Sequence, residues 1–416
     1  MTHALPHAAA PVVGTVVVPG SKSETNRALV LAALADRPSV VAGALVSRDS
    51  ELMIGALRRL GADVEWDGDL LRVAPPARFS GALGIDCGLA GTVMRFVPPV
   101  TLLAAGPSSF VGDPHASERP MDGLLEGLRQ IGATVTGDAL PFRVTPPSRF
   151  RAEATIDSSG SSQFVSGLLL VAPRLPHGLT IRHEGDTLPS LPHIQMTVEM
   201  LRARGVVIDQ PDETTWVVAP GPISAIDLTI EPDLTNASVF LAAAAATGGE
   251  VTVPAWPTHS LQPGLAFLDV IAAMGAEVAL TDGRAAVRGT GRLTGIDVDL
   301  HAASELTPVV AALGAIADGE TVIRGVAHIR GHETDRLAAL TAELRRAGIT
   351  ATETSDGLRI EGGTPVAARL NTYADHRMVH FAALLGLRTP GISVDDMDCV
   401  SKTMPRFPVD WADLVA

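Results

Sequence analysis

Leu57-Arg-Arg-Leu-Gly61-Ala-Asp-Val64 reads as the end of a helix, a closing glycine and the start of a strand. The glycine suits the left-handed position that commonly follows a helix C-terminus. Close copies occur at Leu128-Arg-Gln-Ile-Gly132-Ala-Thr-Val135, Leu201-Arg-Ala-Arg-Gly205-Val-Val-Ile208, Ile271-Ala-Ala-Met-Gly275-Ala-Glu-Val278 and Leu344-Arg-Arg-Ala-Gly348-Ile-Thr-Ala351. The period of about 70 residues exceeds that of solenoid repeats, so each copy is a subdomain-sized unit. A second series keeps the same period. Small or polar residues followed by an apolar helical run begin near Ser21, Gly91, Ser161, Thr235, Ser304 and Asp375.

Each unit is therefore predicted to run helix, strand, helix and hairpin, with a short strand leading into the next. Asp67-Gly68 and Asp356-Gly357 mark two of the hairpin turns. The sixth copy is truncated. Six such units in 416 residues suit an α/β protein of two similar domains, three units in each.

Only 4% of residues are aromatic although 46% are hydrophobic, so the cores must be packed from Ala, Val and Leu. The apolar run near Val239 to Ala246 is far short of a membrane span. Residues 1–10 carry no Lys or Arg, and Cys87 and Cys399 form neither a disulfide framework nor a metal-ligand cluster. A soluble cytoplasmic enzyme with no metal is expected. The net charge of −14 argues against nucleic-acid or membrane-surface binding. It also means that a binder of anions has to gather its cations locally.

They gather at helix starts. In Pro19-Gly-Ser-Lys-Ser-Glu-Thr-Asn-Arg27, Ser21 and Glu24 have capping-box spacing, which makes Lys22 the first helical residue. Ser23 and Arg27 share a face beside unpaired N–H groups and the positive end of the helix dipole. Cations there are disfavoured by about 0.3–1 kcal/mol each, so their presence points to an anion site. Gly91 and Thr92 offer bare backbone at a second helix start, and Arg119 precedes a first-turn proline. Ser161, Ser162 and Gln163 offer hydroxyls and an amide at a third. Glu333 lies near Arg336, and Asp375-His376-Arg377 and Lys402 complete the set. A single Asp-His-Arg is more often a cap with a salt bridge than an active site. Repeats also inherit caps, but these copies differ: some bear cations, others acids or amides.

In order and spacing, Pro-Gly-Ser-Lys-Ser from Pro19, Gly-Thr-x-x-Arg from Gly91, Glu-Arg-Pro from Glu118, Ser-Ser-Gln-Phe from Ser161, Glu-Thr-Asp-Arg from Glu333, Asp-His-Arg-Met from Asp375 and Ser-Lys-Thr from Ser401 resemble the enolpyruvyl transferase family over residues 11 to 416. In particular the chain resembles the member acting on shikimate 3-phosphate. The resemblance implies two domains of three βαβαββ units, an inside-out α/β barrel with the active site in the interdomain cleft. One domain is residues 20–230, mainly binding shikimate 3-phosphate. The other is 1–19 plus 231–416 and completes the phosphoenolpyruvate site, with hinges near Pro19 and Glu231 and closure on substrate. The implied reaction moves the carboxyvinyl group of phosphoenolpyruvate to the 5-hydroxyl of shikimate 3-phosphate, on the route to aromatic amino acids, without a cofactor.

The resemblance assigns shikimate 3-phosphate to Lys22, Ser23, Arg27, Ser161, Ser162, Gln163, Ser190, Glu305 and His332. Phosphoenolpyruvate falls to Lys22, Gly91, Arg119, Gln163, Arg336, His376, Arg377 and Lys402. Glu305 is the implied base, Glu333 an implied proton donor, and Lys22 or Lys402 a further proton carrier. A monomer is expected. His332, His328 and His193 stand where many relatives have lysine, asparagine and tyrosine, and Glu305 where they have aspartate. A histidine at 332 implies that phosphate affinity falls above neutrality. Two alternatives are an enolpyruvyl transferase for UDP-N-acetylglucosamine and a non-catalytic sugar-phosphate binder. The first has a reactive cysteine in the loop corresponding to Gly106 to Arg119, which has none here. Lys22, Glu305, Glu333 and Lys402 together argue against the second.

Overall fold

A computed structural model describes residues 2–416. The chain divides into two compact units, Gly20–Ile230 and Met1–Pro19 with Glu231–Ala416.

In the unit Gly20–Ile230 the repeat is explicit. Helix Lys22–Leu34, strand Ser39–Ala42, helix Arg48–Arg59, hairpin Asp63–Asp67 with Leu70–Ala74 and strand Ile85–Asp86 form the first copy. The second is Gly91–Val100, Ser108–Val111, Asp122–Ile131, Thr134–Thr136, Phe142–Thr145 and Glu153–Ile156. The third is Gln163–Val171, Leu179–His183, Leu191–Arg202, Ile208–Asp212, Thr215–Val218 and Leu228–Thr229. Each copy makes a four-stranded sheet whose outer parallel strand comes from the copy before it. Ile85–Asp86 lies beside Ser108–Val111, and Glu153–Ile156 beside Leu179–His183. Leu228–Thr229 returns to Ser39–Ala42, which closes the ring of three.

The other unit repeats the plan with helices Leu234–Thr247, Thr307–Ala315 and His376–Arg388 leading its copies. Its last copy lacks the hairpin. Two strands from the chain's beginning fill in: His3–Ala4 pairs with Ser393–Val394, and Val13–Thr15 runs parallel to Glu250–Pro254.

The leading helices are apolar all round and pack on one another inside each unit. Every residue of Gly91–Val100 and all but the last of Leu234–Thr247 is buried. Small side chains such as Ala242 to Ala246 let these helices come close, which explains a core with few aromatics. The second helix of each copy is amphipathic instead. Arg48–Arg59 buries Met53, Ile54, Ala56 and Leu57 and exposes its arginines.

The glycine series takes the expected backbone. Gly61, Gly132, Gly205, Gly275 and Gly348 have φ of 101°, 114°, 80°, 102° and 80°. At Gly132 a Cβ would also lie 2.6 Å from the Arg149 carbonyl, whereas at Gly205 its nearest neighbour is Ser224 Oγ at 3.7 Å. Gly205→Ala should therefore cost about 1–2 kcal/mol from the left-handed backbone alone, and Gly132→Ala more. Urea midpoints of the two variants check this; equal costs, or the reverse order, would contradict it.

Candidate active site

Hydrogen bonds between first turns show that the leading helices of Gly20–Ile230 start at the same end. Asn26 Nδ2 donates to Thr92 Oγ1 at 2.6 Å, and Arg95 Nη1 to Gln163 Oε1 at 3.0 Å. Ser21 caps the first helix by accepting from Glu24 N at 3.4 Å, as its spacing predicts. The other two leading helices, and Leu191–Arg202 after Ser190, have no side-chain cap. At Gly91–Val100 this leaves the first N–H groups to other acceptors, the condition for anion binding, whereas Gln163 N and Phe164 N bond to Ser161.

Cations surround these starts. Lys22 pairs with Asp49 at 3.4 Å. At Gly91 a Cβ would lie 2.8 Å from Arg95 Nη1 and 3.1 Å from both Arg119 Nη atoms, so glycine is what lets two guanidinium groups approach this backbone. Arg119 Nη1 donates to the Leu89 carbonyl at 3.0 Å, its Nε has no acceptor, and it forms no ion pair among the described residues. Ser161 Oγ accepts from Gln163 N at 3.3 Å, and Ser162 and Ser190 are buried at their helix starts.

Arg27, expected beside Ser23 at an anion site, is largely taken up by protein partners. Its side chain is fully buried, 4.9 Å over the Phe96 ring, and donates to Thr197 Oγ1, Ser23 O, Ser166 Oγ and His193 O. Burial lowers its pKa to about 9, against the opposing pull of Glu24. One Nη1 hydrogen is left over. Arg95 is the residue that sequence reasoning passed over: it appeared in a motif but in no role. Its position four after Gly91 was the available signal.

The second group lies in the unit completed by Glu231–Ala416, around Arg336. This guanidinium is fully buried at the start of helix Arg336–Arg346. Nε donates to Asp375 Oδ2 at 2.7 Å. Nη1 donates to Glu305 Oε2 at 2.7 Å and to His332 Nδ1 at 2.9 Å. Nη2 donates to Glu333 Oε2 at 2.8 Å and Asp375 Oδ1 at 3.2 Å. All five hydrogens of an arginine are thereby used. Arg377 Nε donates to the same Glu305 Oε2 at 2.8 Å, while its buried Nη1 has no acceptor. Lys402 Nζ donates to Glu333 Oε1 at 2.5 Å, and His376 is buried beside Asp375. The structure brings Glu305, His332, Glu333, Arg336, His376, Arg377 and Lys402 into one cluster.

Burial would push the Glu305 carboxyl up, but Arg336 and Arg377 outweigh it and hold the pKa well below the usual range. Arg336 remains charged, since its carboxylates outweigh burial. His332 has its pKa lowered to about 3, by burial first, and His328 to about 4, by burial and then His301. Geometry agrees. An arginine can only donate, so His332 Nδ1 is an acceptor and its proton sits on Nε2. His332 is then neutral in the unliganded site across the neutral range, against the charged ring that the expected fall in phosphate affinity above pH 7 assumes.

The strand-to-helix loop before Asp375 is held from beneath. Tyr373 and Ala374 both have φ of 55°, an unfavourable backbone for non-glycine residues. Buried Glu343 accepts from Tyr373 Oη at 2.7 Å and from Asn371 N at 3.1 Å, which fixes the loop that aims Asp375 at Arg336. Tyr373→Phe is expected to weaken binding of an anionic ligand at this cluster several-fold while the melting temperature changes by only a few degrees. Binding isotherms on both proteins check it, and unchanged binding would contradict a positioning role for this loop.

Comparisons with known proteins bear on the family and the fold. The family model for EPSP synthase (3-phosphoshikimate 1-carboxyvinyltransferase) matches residues 6–411. A 3-phosphoshikimate 1-carboxyvinyltransferase of Kocuria rhizophila is 51% identical over 97% of this chain and 94% of its own. Among solved structures, an EPSP synthase from Acinetobacter baumannii aligns with a TM-score of 0.79 at 24% identity, covering 99% of this chain and 97% of that one. The enolpyruvyl transferase NikO from Streptomyces tendae also aligns at 0.79, with 20% identity and coverage of 99% and 97%. The first and last of these structures confirm the two-domain inside-out α/β fold. The chain belongs to the EPSP synthase family of enolpyruvyl transferases.

Proposed function

We propose that this protein transfers the carboxyvinyl group of phosphoenolpyruvate to the 5-hydroxyl of shikimate 3-phosphate and releases phosphate. The observation that carries the chemistry is the arginine cluster, in which three carboxylates and a lysine surround Arg336 and Arg377. The match to a relative bearing the same activity supports the substrate pair. Neither a UDP-sugar transferase nor a non-catalytic binder has such support.

In this reading the acceptor hydroxyl gives its proton to Glu305 as its oxygen bonds to C2 of phosphoenolpyruvate. C3 is protonated in the same addition, from the Glu333–Lys402 pair or from Lys22. The tetrahedral adduct then loses the proton from C3 and breaks the C2–O bond to phosphate. Arg336, His376, Arg377 and Lys402 bind phosphoenolpyruvate, with Lys22, Gly91, Arg119 and Gln163. Ser23, Ser161, Ser162, Gln163, Ser190 and the remaining Arg27 hydrogen take shikimate 3-phosphate, with Lys22, Glu305 and His332. Arg95 orients Gln163. Preorganised donors of this kind are the largest source of rate enhancement where charge develops.

No helix among the described residues is long and apolar enough to cross a membrane, and no cluster of three or more His, Cys, Asp or Glu among them could hold a metal. A cytoplasmic monomer fits the reading.

Mixing the protein with both substrates should release phosphate, and Glu333→Ala should slow release by about 10²-fold or more. Release with a UDP-sugar in place of shikimate 3-phosphate would overturn the reading. For His332, a fixed Nε2–H donor is mimicked by glutamine and not by asparagine. His332→Gln should keep shikimate 3-phosphate affinity within about threefold, and His332→Asn should lose about tenfold, the worth of one hydrogen bond. Wild type and His332→Lys should show parallel affinity profiles from pH 6 to 9. A fall confined to wild type would mean that His332 titrates there.

A further inference from the structure

The hydrogen count at Arg336 has a consequence for how the site is loaded. If a substrate carboxylate or phosphate is to bind this guanidinium, one of its present acceptors has to leave, because no hydrogen is spare. Asp375 is fully buried and caps helix His376–Arg388 through Arg377 N at 2.9 Å, so it is fixed. The Glu333 side chain is 7% exposed and also holds Lys402. His332 is a neutral ring, 19% exposed. Glu305 is 28% exposed, the most accessible of the four. Its Oε2 alone bridges Arg336 Nη1 and Arg377 Nε, at 2.7 and 2.8 Å. One anionic oxygen between two guanidinium groups is what a bound substrate carboxylate would supply. Arg377 adds a buried Nη1 with no acceptor, a donor in place for a second oxygen.

We propose that Glu305 is a resident stand-in for the substrate's carboxylate, and that phosphoenolpyruvate binds by displacing it from Arg336 and Arg377, which frees Glu305 to act as the base. This rests on the proposed function and deepens it. The proton logic follows from the same contacts. Held by two arginines, the carboxylate is a weak base; released from them, it gains basicity at the moment the acceptor hydroxyl needs it. The charge count is consistent. Arg336, Arg377 and Lys402 face Glu305, Glu333 and Asp375, a neutral set in which an incoming anion finds net attraction only when Glu305 moves away.

A base that merely waits in the site and a base that occupies the ligand's position predict opposite binding results. Phosphoenolpyruvate binding, measured by titration calorimetry without acceptor, compares wild type with Glu305→Gln and Glu305→Ala. Displacement predicts at least fivefold tighter binding in both variants, with more gain in Glu305→Ala, while turnover with both substrates falls at least a hundredfold. Unchanged or weaker binding in both folded variants overturns the proposal. Inorganic phosphate is the control: a gain as large as that for phosphoenolpyruvate would also overturn it, because displacement then would not report the carboxylate. The binding arm needs no turnover. Failure of wild type to release phosphate would sink the functional reading, and unchanged affinity would sink only the displacement.

Discussion

A buried guanidinium with every hydrogen committed organises the half-site built by Glu231–Ala416. Arg336 stands at the first position of its helix, where the dipole repels cations, and its own side chain is out of water. It is tolerated because Asp375, Glu305 and Glu333 converge on it, drawn from two successive repeats. Removing any one leaves an uncompensated buried charge, the costly case for an ion network. The same saturation keeps His332 neutral, keeps Glu305 ionised and ties Lys402 to the cluster through Glu333.

The unit Gly20–Ile230 solves a different problem with the same architecture. Three apolar helices start at one end and two of the three have no side-chain cap, so backbone N–H groups add to the positive potential of Lys22, Arg95 and Arg119. Gly91 lets Arg95 and Arg119 reach that backbone. An acidic chain thus concentrates positive charge where the repeat puts helix tips, and one half-site is charge-balanced while the other is not.

The repeat itself was plain in the chain, because it is written locally. Glycine after a helix, Asp-Gly in a hairpin and Ser21 three before Glu24 each act within a few residues, and the backbone follows them. The ring closure was not plain: Leu228–Thr229 beside Ser39–Ala42 and Val13–Thr15 beside Glu250–Pro254 join distant segments of weak strand character. The site was legible as a set of residue types at helix starts but not as a network. Nothing near Arg336 marks Asp375 or Glu305 as its partners, and nothing near Arg27, read as an anion-site cation, shows that Phe96 and Thr197 provide its seat. The tautomer of His332 depends on which atom of Arg336 meets it, a fact that exists only in three dimensions.

The most direct test of the account is a crystal structure of the protein with phosphoenolpyruvate bound. It should show the substrate's carboxylate against Arg336 and Arg377, with the Glu305 side chain turned away from both. Density showing Glu305 Oε2 still bridging the two arginines, and the substrate held elsewhere, would contradict it.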